Sequence, residues 1–304
     1  TCVTFTWMQL CNRLLGVTGN SLYADYMETA IYNALMASLK ADASQIAKYS
    51  PLEGWRHEGE EQCGMHINCC NANGPRAFAM IPQFAYQVQD DCVHINFYAP
   101  SEAVLVLPGK KPVQLKQTTD YPATDRIDIE VNPAKETAFT IALRIPAWSK
   151  MATVSVNGQP ESGVLQGAYL PLNRKWKKGD RISIELDLRA RLIEKNQAQA
   201  IVRGPVVLAR DSRFGDGFVD ETSIIVSKDG YVELTPVAAP GFAWLAFTAP
   251  MVLGTDLEGD RAPKQIHFCD FASAGNTWDK TQRYRVWLPK TLNVMYSPYK
   301  PYNQ

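Results

Sequence analysis

The sequence lacks the features that mark membrane proteins and nucleic-acid-binding proteins. None of its apolar runs approaches the ~20 residues that a membrane-spanning helix needs. Lysine and arginine together number 31, as do aspartate and glutamate, so the 304-residue chain has no formal net charge. A nucleic-acid partner normally demands a basic face, which this balance argues against. The chain also lacks internal repeats and low-complexity tracts, and it is long enough for two domains with sizeable cores.

The sequence also lacks the cysteine patterns of disulfide frameworks and of dithiol redox motifs. Its seven cysteines are an odd number, five of them lie within the first 70 residues, and none forms a Cys-x-x-Cys pair. This distribution indicates metal ligands or reduced thiols and makes a redox pair the weaker hypothesis.

What is present is a short segment in which Cys63, His66, Cys69 and Cys70 lie within eight residues. Neighbouring cysteines rarely bond to each other, because disulfide geometry needs their Cα atoms farther apart and differently directed. The spacing is compatible with a tetrahedral zinc site of sulfur and nitrogen ligands. It is equally compatible with buried, reduced cysteines that act as small apolar residues. The spacing alone leaves both interpretations open.

A helix start follows this segment directly. Asn73 can cap a helix and Pro75 suits its first turn, so we predict a helix over residues 74–86. Cys69 and Cys70 then lie just ahead of a helix N-terminus, where a thiolate is favoured as nucleophile or metal ligand. Arg76 either contacts a ligand hydroxyl or a carboxylate near such a metal, or anchors the helix through an ion pair.

The hydrophobic period divides the chain into regions. Apolar residues at helical spacing predict helices over residues 3–15 and 21–39, joined by a short link as in an α/α hairpin. From Cys92 onward the pattern alternates, and many short strands with an Asn157-Gly158 turn predict an antiparallel β-sandwich. We therefore expect an α+β multidomain chain, with helices in 1–91, a β-sandwich in 92–210, and a further β-rich segment or second small sandwich in 211–304.

Between the helices lies a charged stretch whose role the sequence leaves open. One of the carboxylates of Glu58, Glu60 and Glu61, or His57, could face a ligand, but such runs are usually solvated loops, and we prefer that interpretation. Trp55 could be an apolar platform for a ligand, or an aromatic residue packed under a loop.

The pattern Cys-Cys-x-x-Asn-x-x-Arg, present here as Cys69, Cys70, Asn73 and Arg76, resembles the zinc-cysteine motif of glycoside hydrolase family 127. The best-known members of that family are β-L-arabinofuranosidases, and family 146 is related to it. The resemblance runs over nearly the whole chain. Further segments similar to the family are Thr1-Cys2, 22–28, 31–33, Leu143-Arg144-Ile145-Pro146-Ala147-Trp148, Val156-Asn157-Gly158, Arg203-Gly204-Pro205-Val206-Val207 and 272–278.

The resemblance implies a zinc ion held by three cysteines and a glutamate. Carried over, Cys2, Cys69 and Cys70 are the zinc ligands and Cys69 is also the nucleophile. Asn73 and Arg76 are then candidate substrate-binding residues. The ligand glutamate of the family stands two residues before the position of Cys2, and its acid/base glutamate also lies upstream, so both are expected before Thr1.

The resemblance further implies a retaining glycosidase that releases β-L-arabinofuranose from plant glycans, with the helices closing an α/α toroid. We expect the chain to be the C-terminal half of such an enzyme, inactive without the N-terminal half of the barrel. A glycosidase for another unusual plant cell-wall sugar, a non-catalytic carbohydrate-binding or supporting fragment, and a structural zinc protein are the alternatives. We expect a carbohydrate partner and no nucleic-acid or membrane partner. A periplasmic or extracellular location fits polysaccharide breakdown.

Overall fold

The computed structural model describes residues 1–58, 68–109, 111–254 and 262–291. Within these ranges the chain is mostly β with few helices, and it divides into two compact units. The first unit contains Thr1–Ser50, the described residues of His57–Arg189, and Arg203–Val206. The second contains Pro51–Arg56, Ala190–Val202 and the described residues from Val207 onward. The division of the chain into 1–91, 92–210 and 211–304 stays a prediction.

Three α-helices lie in the first unit: α1 (Cys2–Thr18), α2 (Leu22–Ala30) and α3 (Cys70–Ala85). Helix α1 is longer than predicted because it runs past Gly16 and ends at Gly19, whose left-handed backbone (φ 65°) caps it through a bond to the Leu15 carbonyl. Helix α2 continues as a π-helical turn (Ile31–Leu35) and a 3-10 turn (Met36–Ser38). Their apolar faces share one core.

Two sheets pack around a second core in the same unit. The four-stranded sheet has the order Ala168–Trp176, Thr137–Ile145, Cys92–Ile95, Tyr86–Gln89. The six-stranded sheet has the order Ser101–Leu107, Lys111–Thr119, Arg126–Pro133, Asp180–Glu185, Thr153–Val156, Gln159–Pro160. Alternating residues of both sheets fill the space between them, as in a β-sandwich. The predicted Asn-Gly turn is confirmed: Asn157 and Gly158 have φ values of 51° and 78° and join an antiparallel pair.

One detail of the sandwich departs from the expected antiparallel arrangement. Strand Cys92–Ile95 pairs in parallel with Thr137–Ile145. Parallel neighbours need a long crossover between them. Here that connection contains three strands of the opposite sheet, from Ser101 to Pro133.

The second unit is built on one large sheet, eleven-stranded among the described residues. Its main path follows Ser223–Ile225, Ala246–Leu253, Lys264–Asp270, Val206–Asp211, Ala198–Arg203, Ala190–Lys195 and Tyr231–Val232. Four two-residue strands pair beside that path: Glu53–Gly54, Thr235–Pro236, Tyr284–Arg285 and Leu288–Pro289. A 3-10 turn, Ser212–Phe214, follows one of the main strands. In the described part of the chain, no helix is both long and apolar enough to cross a membrane.

Candidate active site

Helix α1 places the first cysteine of the site. Cys2 is its first residue, and the preceding Thr1 ties this end to the segment before Ser50. The Thr1 hydroxyl donates to the Ala47 carbonyl at 2.6 Å, and its main-chain nitrogen donates to the Lys48 carbonyl at 2.5 Å. Cys2 is half-buried and held at a fixed helix start.

Helix α3 places the other two cysteines of the site, and it begins four residues earlier than the sequence predicts. Cys69 is the residue before the helix and Cys70 is its first residue. The capping side chain is Asn68, whose Oδ1 accepts from the Cys70 N–H at 2.9 Å, whereas Asn73 lies inside the helix. The run Asn71-Ala72-Asn73-Gly74 contains weak helix formers, so propensity alone disfavoured a helix there, and tertiary contacts override it.

The three sulfur atoms lie together. Cys2 Sγ is 2.8 Å from Cys69 Sγ and 3.5 Å from Cys70 Sγ, and all three atoms lie within 4.8 Å of one another. Cys69 is exposed, Cys2 is half-buried and Cys70 is buried. The thiols therefore form one cluster whose exposed residue is Cys69. The six described cysteines form no disulfide.

The predicted substrate-binding residues also reach this cluster. Asn73 Nδ2 donates a hydrogen bond to Cys2 Sγ at 3.2 Å. Arg76 donates from its guanidinium to Asn73 Oδ1 at 3.1 Å, and the same guanidinium stacks 5.0 Å above the centre of the Phe5 ring. Arg76, Asn73 and Cys2 thus form a chain that orients the Cys2 sulfur.

The environment separates the pKa values of two of the thiols. Burial by itself would raise the pKa of Cys2, but hydrogen bonds with Cys69, Asn73 and Cys70 stabilise its thiolate and lower that pKa below the usual value. The hydrogen bond to Cys2 raises the pKa of Cys69 to about 11, with further contributions from burial and from Cys70. Cys2 is therefore the more acidic of these two thiols.

The donor set of the cluster suits a soft metal ion. Three thiolates within 4.8 Å of one another repel strongly unless a cation lies among them. In a tetrahedral site with zinc–sulfur bonds of ~2.3 Å, sulfur atoms stand about 3.8 Å apart. The Cys2–Cys70 sulfur distance of 3.5 Å is near that value, whereas the Cys2–Cys69 distance of 2.8 Å would have to lengthen around an ion. Sulfur ligands favour zinc over hard cations such as magnesium. The hydrogen bond from Asn73 to Cys2 Sγ is the kind of outer contact that orients metal ligands.

Other residues singled out in the sequence lie elsewhere. Cys63, His66, Glu60 and Glu61 fall outside the described residues. Glu58 accepts from the exposed side chain of Gln45 at 2.9 Å, which is the surface contact expected of a solvated loop.

In the second unit, the guanidinium of Arg283 lies 5.5 Å from the centre of the Trp55 ring, and Trp55 is 40% exposed.

Two features of the thiol cluster were not singled out from the sequence: the side chain of Asn68, which bonds to the Cys70 N–H, and the carbonyl of Lys48, which accepts from Thr1. The only feature of the sequence that could have pointed to Asn68 is its position directly before Cys69.

Two family profiles match the chain. One, described as the catalytic domain of GH127 β-L-arabinofuranosidases, matches residues 1–83. The other, described as the middle domain of the same enzymes, matches residues 92–188. The thiol cluster lies entirely within the range of the first profile.

Individual proteins match as well. A curated non-reducing end β-L-arabinofuranosidase from Bifidobacterium longum subsp. longum is 24% identical over 230 residues, which is 68% of this chain and 34% of that protein. Among solved structures, the GH127 β-arabinofuranosidase BT3674 has a TM-score of 0.78 at 23% identity, over 94% of this chain and 48% of its own. A GH127 β-L-arabinofuranosidase from Geobacillus stearothermophilus T6 has a TM-score of 0.76 at 21% identity, over 94% of this chain and 49% of its own. The chain thus shares their fold and spans about a third of the curated relative and half of each solved structure.

Proposed function

This chain belongs to glycoside hydrolase family 127, and from that premise we propose that its thiol cluster is the zinc-thiolate centre of a retaining glycosidase. The observation that carries the proposal is the cluster itself: three sulfurs lie within 4.8 Å of one another, and Cys69 is the exposed residue of the three, whereas Cys2 is half-buried and Cys70 is buried. A nucleophile must reach its substrate, which the buried sulfur of Cys70 does not. The proposed substrate is a terminal β-L-arabinofuranose, since the curated relative is named for that sugar.

In the proposed reaction, Cys2, Cys69 and Cys70 hold zinc, and Cys69 is the nucleophile. When bound, zinc keeps the thiols deprotonated at neutral pH, so no separate base is needed to activate Cys69. The Cys69 thiolate attacks the anomeric carbon and forms a carbon–sulfur bond while the glycosidic carbon–oxygen bond breaks. A general acid protonates the leaving oxygen. We assign that acid to no residue of this chain, and the family pattern places it, like the ligand glutamate, before Thr1.

The second half of the reaction restores the thiolate. A water molecule loses its proton to the conjugate base of that acid and attacks the same anomeric carbon, and the carbon–sulfur bond breaks. Two inversions at one carbon give retention of configuration. Asn73 and Arg76 act as positioning residues in this proposal, because Arg76 fixes the amide of Asn73 and that amide bonds to Cys2 Sγ.

We further propose that α1 and α2 close an α/α toroid. Beside its buried face, α1 carries a second apolar stripe at heptad spacing: Val3, Trp7, Leu10 and Val17 are 83%, 41%, 48% and 85% exposed. An amphipathic surface helix normally has one apolar stripe, so a second one is suited to pack against further helices.

Metal analysis of variants in which one cysteine is replaced by serine tests the metal centre. We expect about one zinc per chain by elemental analysis in the unmodified chain, with loss of zinc in Cys2→Ser and in Cys70→Ser. Cys92→Ser is the matched control, because Cys92 is a half-buried thiol outside the cluster. Full zinc content in both Cys2→Ser and Cys70→Ser would contradict the ligand assignment.

Turnover of an aryl β-L-arabinofuranoside tests the nucleophile, in this chain and in any longer polypeptide that contains it. We expect Cys69→Ser to fold with an unchanged circular dichroism spectrum and to lose turnover in the active form, whereas Cys92→Ser keeps it. Normal turnover in Cys69→Ser would exclude this residue as the nucleophile. Zinc binding without arabinose release in every form would direct the search to other plant cell-wall sugars.

A further inference from the structure

A cleft of about 310 Å³ lies at the far end of the two helices that carry the thiols. Helices α1 and α3 run side by side: Phe5 meets Arg76, and Gln9 donates to the sulfur of Met80 at 3.9 Å. From Cys2 to Arg13, which lines the cleft, α1 rises about 16 Å. The cleft is therefore separate from the thiol cluster.

Six side chains with hydrogen-bonding groups line this cleft, and two of them, Tyr86 and Asn96, are hydrogen-bonded to other residues. The other four are Asn12 and Arg13 from α1, Gln83 from α3, and Gln87 from the edge strand Tyr86–Gln89. None of these four side chains has a hydrogen bond or ion pair with another of the described residues. Gln87 nevertheless lies close to the last turns of α1, because a Cβ built on Gly16 would be 3.5 Å from its Nε2. Three carboxamides and a guanidinium thus lie together, and the described residues leave their donors and acceptors unused.

The chemistry of the lining favours a neutral, polyhydroxylated ligand over an anion. A carboxamide both donates and accepts, as does a sugar hydroxyl, whereas a carboxylate only accepts. Gly16 and Gln83 lie in the last turns of α1 and α3, where the helix dipole places partial negative charge. Arg13 is the single charged side chain in the lining, so it offsets that charge without creating a strongly positive site.

We propose that this cleft is a second, non-catalytic carbohydrate site that takes one end of a neutral oligosaccharide. Its volume is at the small end of the ~300–1,000 Å³ typical of ligand sites. The four polar side chains without a partner among the described residues bind the hydroxyls of a sugar ring. None of the lining residues is a proposed zinc ligand or the proposed nucleophile, so substitutions in the lining test this site separately from the proposed reaction.

Isothermal titration calorimetry of the zinc-loaded chain with three neutral trisaccharides, arabinotriose, galactotriose and cellotriose, tests the site. We expect at least one of them to bind and both Arg13→Ala and Gln83→Ala to raise its Kd about tenfold, the effect of losing one or two hydrogen bonds. Both residues are exposed, so the variants should keep the melting temperature of the parent. Arg181→Ala and Gln159→Ala are matched controls at exposed positions of the same unit and should change the Kd less than twofold.

Trigalacturonate, an anionic trisaccharide of the same length, is the discriminating probe. We expect it to bind more weakly than the best neutral trisaccharide, and hydrogen exchange in Tyr86–Gln89 to slow when that trisaccharide is bound. No binding of any neutral probe at millimolar concentration would overturn the proposal. It would equally fail if the Arg13→Ala/Gln83→Ala double variant kept the parent Kd, or if trigalacturonate bound more tightly.

Discussion

At the scale of single residues, one buried arginine joins two of the sequence segments that resemble the family. Arg144 is fully buried and donates to Asp25 Oδ1 at 2.5 Å and to Glu28 Oε1 at 2.6 Å. Tyr121 also donates to Glu28 Oε1, at 2.8 Å, and the N–H of Ala147 donates to Asp25 Oδ2 at 3.0 Å. The cluster ties α2 to strand Thr137–Ile145, so these resembling segments have a structural role away from the thiols.

Removing Arg144 should be far more costly than removing an exposed arginine. Arg144→Ala leaves two carboxylates buried without their cation, and we expect the free energy of unfolding to fall by about 3–5 kcal/mol. Arg126→Ala is the control: Arg126 pairs with Asp128 at 2.9 Å, but the two side chains are 60% and 41% exposed. Solvent screens that pair, so its loss should cost far less stability than the loss of Arg144. Urea unfolding measures both, and equal losses would contradict the importance of burial.

At the scale of elements, the start of α3 is set by packing more than by helix propensity. Gly74 is buried against Ile46, and a Cβ placed on it would lie 2.2 Å from Ile46 Cδ1 and 3.0 Å from Ile46 Cγ2. The close approach of α3 to the segment around Ile46 therefore requires a glycine. In the same segment, the carbonyls of Ala47 and Lys48 accept hydrogen bonds from Thr1, the residue that precedes Cys2.

Gly74→Ala should consequently disturb the thiol cluster without touching a thiol. We expect it to cost about 1–3 kcal/mol of stability through overpacking. We also expect weaker zinc binding, measured by competition with a chromophoric chelator, because Cys69 and Cys70 begin this helix. Ile46→Val removes Cδ1 and should restore part of both losses, as a double-mutant cycle would reveal.

Gly16→Ala, in helix α1, is the comparison for Gly74→Ala in helix α3. Gly16 lies within α1, where the added Cβ would make only an ordinary contact at 3.5 Å with the flexible side chain of Gln87. Alanine is a better helix former, so this substitution should raise stability by roughly 0.5–1 kcal/mol. If Gly74→Ala proved as harmless as Gly16→Ala, the close packing of α3 on Ile46 could not be what sets its position.

At the scale of the whole molecule, the sequence predicted the order of helices and strands, but not their three-dimensional pairing. Alternation located the strands of the sandwich because side chains on opposite faces of a strand have different surroundings. The parallel pairing of Cys92–Ile95 was missed because residues about 50 positions apart determine it. The first residue of α3 was missed because the first turn of this helix depends on the packing of Gly74 against Ile46. The local sequence gives no sign of that contact.

The thiol residues were predictable as a group only through the resemblance, since Cys2 and Cys69 are 67 positions apart and no spacing rule links them. The structure brings Cys2, Cys69, Cys70, Asn73 and Arg76 together. The cleft could not be predicted at all. Asn12, Arg13, Gln83 and Gln87 form no motif and meet only because α1 and α3 run side by side.

Metal removal should loosen the helices and leave both β-rich regions intact. The thiols lie at the first turns of α1 and α3, whereas the buried strands hold together through apolar cores that contain none of these cysteines. A bound ion stabilises only the states that bind it, by RT ln(1 + [L]/Kd), which is about 4 kcal/mol at a thousandfold excess over Kd.

Hydrogen exchange followed by mass spectrometry, with and without a zinc chelator, distinguishes the helices from the β-rich regions. We expect faster exchange in Cys2–Thr18 and Cys70–Ala85 after chelation, and no change in Thr137–Ile145 or Ala246–Leu253. Equal acceleration in all four segments would mean that the metal stabilises the chain globally, and unchanged exchange in the two helices would mean that no metal links their first turns.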